Sequence, residues 1–134
     1  MDIPITTDEK KFYRQALTIV SNIPPFNKLR TKELEALAWL SYYFNDLKYE
    51  FGEQKIDEIN RRLFDYDVRL KIREQIQDKH GSDLSPSNLS NLFRGLKAKG
   101  FILDNQGRMN LNTKYLFDPR KVDEITFKFH FNEQ

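Results

Sequence analysis

Phe12, Tyr13, Ala16, Leu17 and Val20 recur three and four residues apart, the spacing that aligns one face of an α-helix. This predicts a first helix over residues 7–21, opened by a capping box of Thr6 and Glu9 and stopped by Asn22-Ile23-Pro24-Pro25, since a proline cannot donate to a helix. Leu34, Leu37, Ala38, Ser41, Phe44 and Leu47 make a second stripe, which Thr31 can cap. Trp39, Leu40, Tyr42 and Tyr43 fall largely outside that stripe. A helix apolar round most of its circumference is either central in its domain or buried against a partner chain. The polar run 45–54, which contains Gly52, predicts a loop. Ile59, Leu63, Val68, Ile72 and Ile76 then anchor a helical stretch over residues 56–79, with a break near Phe64 where Asp65 can cap a new helix. His80-Gly81-Ser82-Asp83 reads as a turn, with Gly81 in the left-handed conformation.

The most informative pattern follows. Ser85 can cap a helix, Pro86 suits its first position, and Leu84 and Leu89 can close a hydrophobic staple across the cap. Leu89, Leu92, Phe93 and Leu96 make one apolar face, and Ser87, Asn88, Asn91, Arg94, Lys97 and Ala98 lie opposite. Gly100 ends the helix. Phe101-Ile102-Leu103 predicts a short strand, Asp104-Asn105-Gln106-Gly107 a turn, and Arg108 begins a second strand that ends about Leu111. Residues 113–117 suggest a helical turn. Ile125, Phe127, Phe129 and Phe131 alternate with Thr126, Lys128 and His130, the period of a strand with one buried face. Such a strand needs cover from the chain's own sheet or from another subunit.

At 134 residues the chain predicts one domain, mainly α with a small antiparallel β element, of about four to five helices and two to three strands. With no cysteine, disulfides and thiol chemistry are excluded. Neither a signal peptide nor a membrane span is evident, so a soluble, cytoplasmic protein is expected. The net charge of +2 decides little, but its distribution is uneven. Residues 85–121 hold seven basic and two acidic side chains, a net +5, whereas the first sixty hold eight basic and ten acidic, a net −2. Positive charge therefore gathers around the capped helix and its hairpin, either as a solvated surface or as a footprint for nucleic acid.

The run SPSNLSNLFRGLKAKGFI, residues 85–102, resembles the recognition helix and the start of the wing in winged helix-turn-helix proteins, most closely the MarR-like group. A weaker similarity joins LRTKELEALAWL, residues 29–40, to the helix that opens their DNA-binding lobe. The resemblance implies N-terminal helices over residues 1–55 that pack or dimerise, a helix-turn-helix and wing over 56–117, and a homodimer or larger assembly. The strand expected in residues 118–134 departs from it, because MarR-like proteins usually finish with a helix.

Two functions follow. In the first, the chain is a sequence-specific regulator of double-stranded DNA. Asn88 and Asn91 would pair with adenine edges, with Ser87 beside them, Arg94 would reach a guanine or a phosphate, and Lys97, Lys99, Arg108 and Lys114 would neutralise phosphates. In the second, it is a structural or assembly protein, such as a phage particle subunit, that uses a winged-helix body to dock on other proteins. The aromatic surplus of the second helix and the terminal strand support that alternative. No catalytic, metal or cofactor site is expected. His80 and His130 stand far apart in sequence, Glu53-Gln54-Lys55 lacks the acidic partner of an E-x-K nuclease motif, and no glycine-rich phosphate loop is present.

Overall fold

The computed structural model describes residues 8–120. Five helices and one hairpin make up its regular structure: α1 (Glu9–Val20), α2 (Thr31–Phe51), α3 (Ile56–Leu63), α4 (Tyr66–Gln75), α5 (Pro86–Ala98), β1 (Ile102–Asn105) and β2 (Arg108–Leu111), with short 3-10 turns at Phe26–Lys28 and Thr113–Tyr115. The fold is therefore mainly helical with a two-stranded antiparallel sheet. The third strand expected from Ile125 to Phe131 lies outside the described residues.

Helix α2 is the axis of the structure, touching α1, α3, α4, α5 and β2. Its Ala36, Leu37, Leu40 and Phe44 are buried, and one apolar core runs from Tyr13 in α1 to Leu111 in β2. Of the residues outside the expected stripe, Leu40 is fully buried, while Trp39, Tyr42 and Tyr43 are half-buried and pack edge or face against one another. The helix is central, as its circumference suggested.

Several boundaries differ from expectation, each for a local reason. Helix α1 is capped by Asp8, whose carboxylate accepts from the Lys11 amide at 2.8 Å; Thr6, expected to supply the cap, lies outside the described residues. Arg30 holds the cap position of α2 and Thr31 is its first helical residue; Glu33 Oε1 accepts from the Arg30 amide at 2.9 Å. The loop expected over 45–54 is mostly helix, because α2 runs on to Phe51 and stops only where Gly52 takes φ +93°. Asn45 explains the extension. Its amide group donates to Tyr13 Oη and to the Phe117 carbonyl, so a polar residue here faces inward. Burial pushes the Tyr13 phenol up to about 12, against the pull of that Asn45 bond.

The break at Phe64 is present, and Asp65 caps α4 by accepting from the Tyr66 amide at 2.8 Å. That helix ends at Gln75, short of the expected Lys79, because the Leu84 amide takes up the Arg73 and Ile76 carbonyls. The turn before α5 is correspondingly long. Gly81 sits at φ +82°, and the Asp78 carboxylate accepts from the amides of His80 and Ser82. Gln77 and Asp83 form an isolated bridge, and Lys32 of α2 donates to the Gln77 carbonyl. The hairpin is tighter than expected: β1 includes Asp104 and Asn105, leaving Gln106 (φ +54°) and Gly107 (φ +84°) as a two-residue turn of the twist that suits a hairpin.

Candidate nucleic-acid interface

Helix α5 is built as its sequence dictates. Ser85 Oγ accepts from the Asn88 amide at 3.1 Å, Pro86 opens the first turn, and Leu89, Phe93 and Leu96 are buried below. The opposite surface is solvent-exposed, carrying Ser87, Asn88, Asn91, Arg94, Lys97 and Ala98. At 3.6 residues per turn these positions separate into a crest and two flanks. Ser87, Asn91, Arg94 and Ala98 form the crest.

One flank, on the side of Asn88, Gly95 and Lys99, turns toward the start of α2. Lys99 Nζ meets Glu33 Oε1 at 2.5 Å, and Glu33 is itself buried, so this lysine is held by an internal partner. Lys97, on the other flank, reaches the hairpin: its Nζ lies 3.0 Å from Asp104 Oδ2. The Lys97 bond and the Gly107 amide, which donates to Asp104 Oδ1, hold the Asp104 carboxyl below its ordinary range. Arg94 and Arg108 form no ion pair among the described residues. Arg108 opens β2 opposite Asn105 and lines a groove of about 610 Å³ between α3 and the hairpin, together with Asp57, Asn60 and Arg61. Lys114 stands beyond the hairpin in the second 3-10 turn, its Nζ 5.6 Å from the centroid of the Tyr115 ring. Thus Ser87, Asn91 and Arg94 share one surface with Asn88 and Lys97 at its edges and Arg108 on the adjoining hairpin, whereas Lys99 is turned inward.

Three further residues shape this surface. Asn60 is buried in α3; its Oδ1 accepts from the Leu111 amide at 2.9 Å and its Nδ2 donates to the Ile56 carbonyl, which pins the hairpin to the helical body. Arg69 of α4 lies against α5, with its guanidinium 5.1 Å from the Phe93 ring centroid and its Nε donating to the Phe64 carbonyl at 2.8 Å. Ser90 sits half-buried on the α5 flank beside it. The only hint in the sequence was position: Asn60 and Arg69 each adjoin a core residue, Ile59 and Val68, so each had to lie at the margin of the core.

No group of metal-ligating side chains large enough to hold an ion occurs among the described residues. None of the described helices is long and apolar enough to cross a membrane. No family model, curated protein or solved structure matches this chain.

Proposed function

We propose that the chain is a sequence-specific binder of double-stranded DNA, a transcription regulator acting in the cytoplasm, that presents α5 to the major groove and the β1–β2 hairpin to the adjoining backbone. The observation that carries this reading is the crest of α5. Asn91 and Arg94 project from a helix fixed by its cap and its apolar underside, with Asn88 at the edge and Arg108 exposed on the next element. A carboxamide can pair with both N6 and N7 of adenine, and a guanidinium with both O6 and N7 of guanine, so these side chains suit base edges. The resemblance of residues 85–102 to MarR-like recognition helices points the same way. Selection from a random duplex pool tests it: wild type should enrich a defined site, and Asn91→Ala should relax one or two positions of that site by roughly 1–3 kcal/mol each. Enrichment of no site by the wild type would count against the reading.

A second reading, an assembly subunit that docks on other copies or other proteins, is favoured by one feature. Trp39, Tyr42 and Tyr43 form a half-buried aromatic group on α2, away from α5. A homodimer through the N-terminal helices would cover it and is compatible with DNA binding as well.

A further inference from the structure

Arg69 is in an unusual position for a cation. It is half-buried, its guanidinium lies over the Phe93 ring, and its Nε donates to the Phe64 carbonyl. Among the described residues it forms no ion pair. Its burial lowers the guanidinium's pKa. A charge withdrawn from water without a counter-ion is costly, so a site that keeps one gains when an anion arrives.

The surroundings of Arg69 supply the rest of an anion site. A pocket of about 190 Å³ between α4, α5 and β2 is lined by Arg69, Ser90, Arg94 and Lys97, with Phe93 and Met109 as its apolar walls. Three cations and a hydroxyl thus share a space with no acidic residue in its lining. Lys97 is the adjustable member. Its present partner, Asp104, is half-exposed, and a surface ion pair of this kind is worth little, so Lys97 can exchange it for a stronger anion. Arg69 is the fixed member: its ring contact and its bond to Phe64 orient the planar fork that matches two oxygens of one phosphate.

The geometry points to this pocket as a seat for a phosphate oxyanion, and specifically for one backbone phosphate of duplex DNA lying between α5 and the hairpin. It rests on the DNA-binding reading and gives it a contact made by α4 and by Ser90. The seat positions the domain without reading sequence, because every phosphate offers the same oxygens. It also fixes the depth at which α5 enters the groove, since Arg69 belongs to a different helix from the reading side chains.

The test compares wild type, Arg69→Gln, Arg69→Lys and Ser90→Asp, with melting temperatures taken first. Ser90→Asp leaves Arg69 and its bonds in place and puts a carboxylate in the pocket as an internal anion, so it still speaks if Arg69→Gln does not fold. Binding to random-sequence duplex is measured against salt, and inorganic phosphate is titrated in a separate arm at constant ionic strength. The log–log slope should flatten by about one unit in Arg69→Gln and in Ser90→Asp, recover in Arg69→Lys, and leave base preference unchanged in all. Phosphate should raise the melting temperature of wild type and of Arg69→Lys but not of the other two. If wild type binds duplex with a steep slope that neither Arg69→Gln nor Ser90→Asp alters, the seat is refuted and the DNA reading stands. If wild type shows no salt-dependent duplex binding, both fall, and a phosphate response that persists would assign the pocket to free phosphate instead.

Discussion

The carboxylate of Glu33 fills the space that a side chain at position 95 would need. A Cβ added to Gly95 would stand 2.1 Å from Glu33 Oε2, while Oε1 of the same group accepts from the Arg30 amide and from Lys99 Nζ. One buried carboxylate therefore caps α2, holds the last turn of α5 through Lys99, and sets how closely the two helices approach.

Gly95→Ala should accordingly destabilise the fold by about 1–3 kcal/mol, the usual cost of forcing an extra methyl into a packed contact. Glu33→Ala alone should also destabilise, because it leaves the Arg30 amide and Lys99 without their acceptor. The two changes together should cost less than their sum, since shortening Glu33 removes the oxygen that the added methyl at position 95 would strike. Urea denaturation of the four proteins measures the coupling, and strict additivity would mean that the helices adjust independently of this contact.

Asn60 plays the matching part at the hairpin. Asn60→Ala removes the acceptor of the Leu111 amide from a buried setting, at a cost of about 1–3 kcal/mol. Hydrogen exchange should show the loss first at the Leu111 amide, with the amides of α2 much less affected. Equal acceleration throughout would mean that the hairpin does not open separately from the body.

Acid should weaken the end of the described chain. Burial works to raise the Asp118 carboxyl, but the bonds from Lys48 Nζ at 2.8 Å and from Tyr49 Oη outweigh it and leave its pKa below the ordinary value. Because the folded value is the lower one, the contribution to stability is complete above the unfolded pKa, near 4, and is lost as pH falls through the folded value. The same sign holds for Glu9, lowered chiefly by its bond to Arg120. Asp118→Asn should lower the urea midpoint at pH 7 and reduce its change between pH 5 and pH 2.5. A pH dependence identical to wild type would remove Asp118 from the account.

Much of α5 was legible because its determinants are local. The Ser85 cap, Pro86 and the Leu89, Leu92, Phe93, Leu96 face all lie within one helix, and so do the exposed side chains opposite. The end of α2 was not legible in the same way. Asn45 looks like a loop residue until Tyr13 and the Phe117 carbonyl, one of them 72 residues away, turn it into a buried donor. Lys99 read as a phosphate-facing cation for the same reason, since Glu33, 66 residues earlier, is what draws it inward. No sequence signature marks Arg69 and Ser90, because a pocket among α4, α5 and β2 is legible in none of the three alone. A count of charges along the sequence does not separate cations held by a carboxylate, such as Lys97 and Lys99, from those that are not.

The hairpin offers a variant at a residue that forms no ion pair among the described residues. Arg108→Ala should weaken binding to all duplex sequences alike and flatten the salt slope by about one unit, with stability changed by no more than about 0.5 kcal/mol. A slope equal to wild type would place Arg108 away from the backbone.

The central claim, that α5 and the hairpin form a surface for duplex DNA, is tested most directly by a salt titration of the wild-type protein on random-sequence duplex. Each neutralised phosphate contributes about −0.9 to the slope of log Kobs against log salt, so contacts from Arg69 and Arg108 predict a slope of about −1.8 or steeper. A flat line, or no binding at low salt, would contradict the account and favour a protein-docking role.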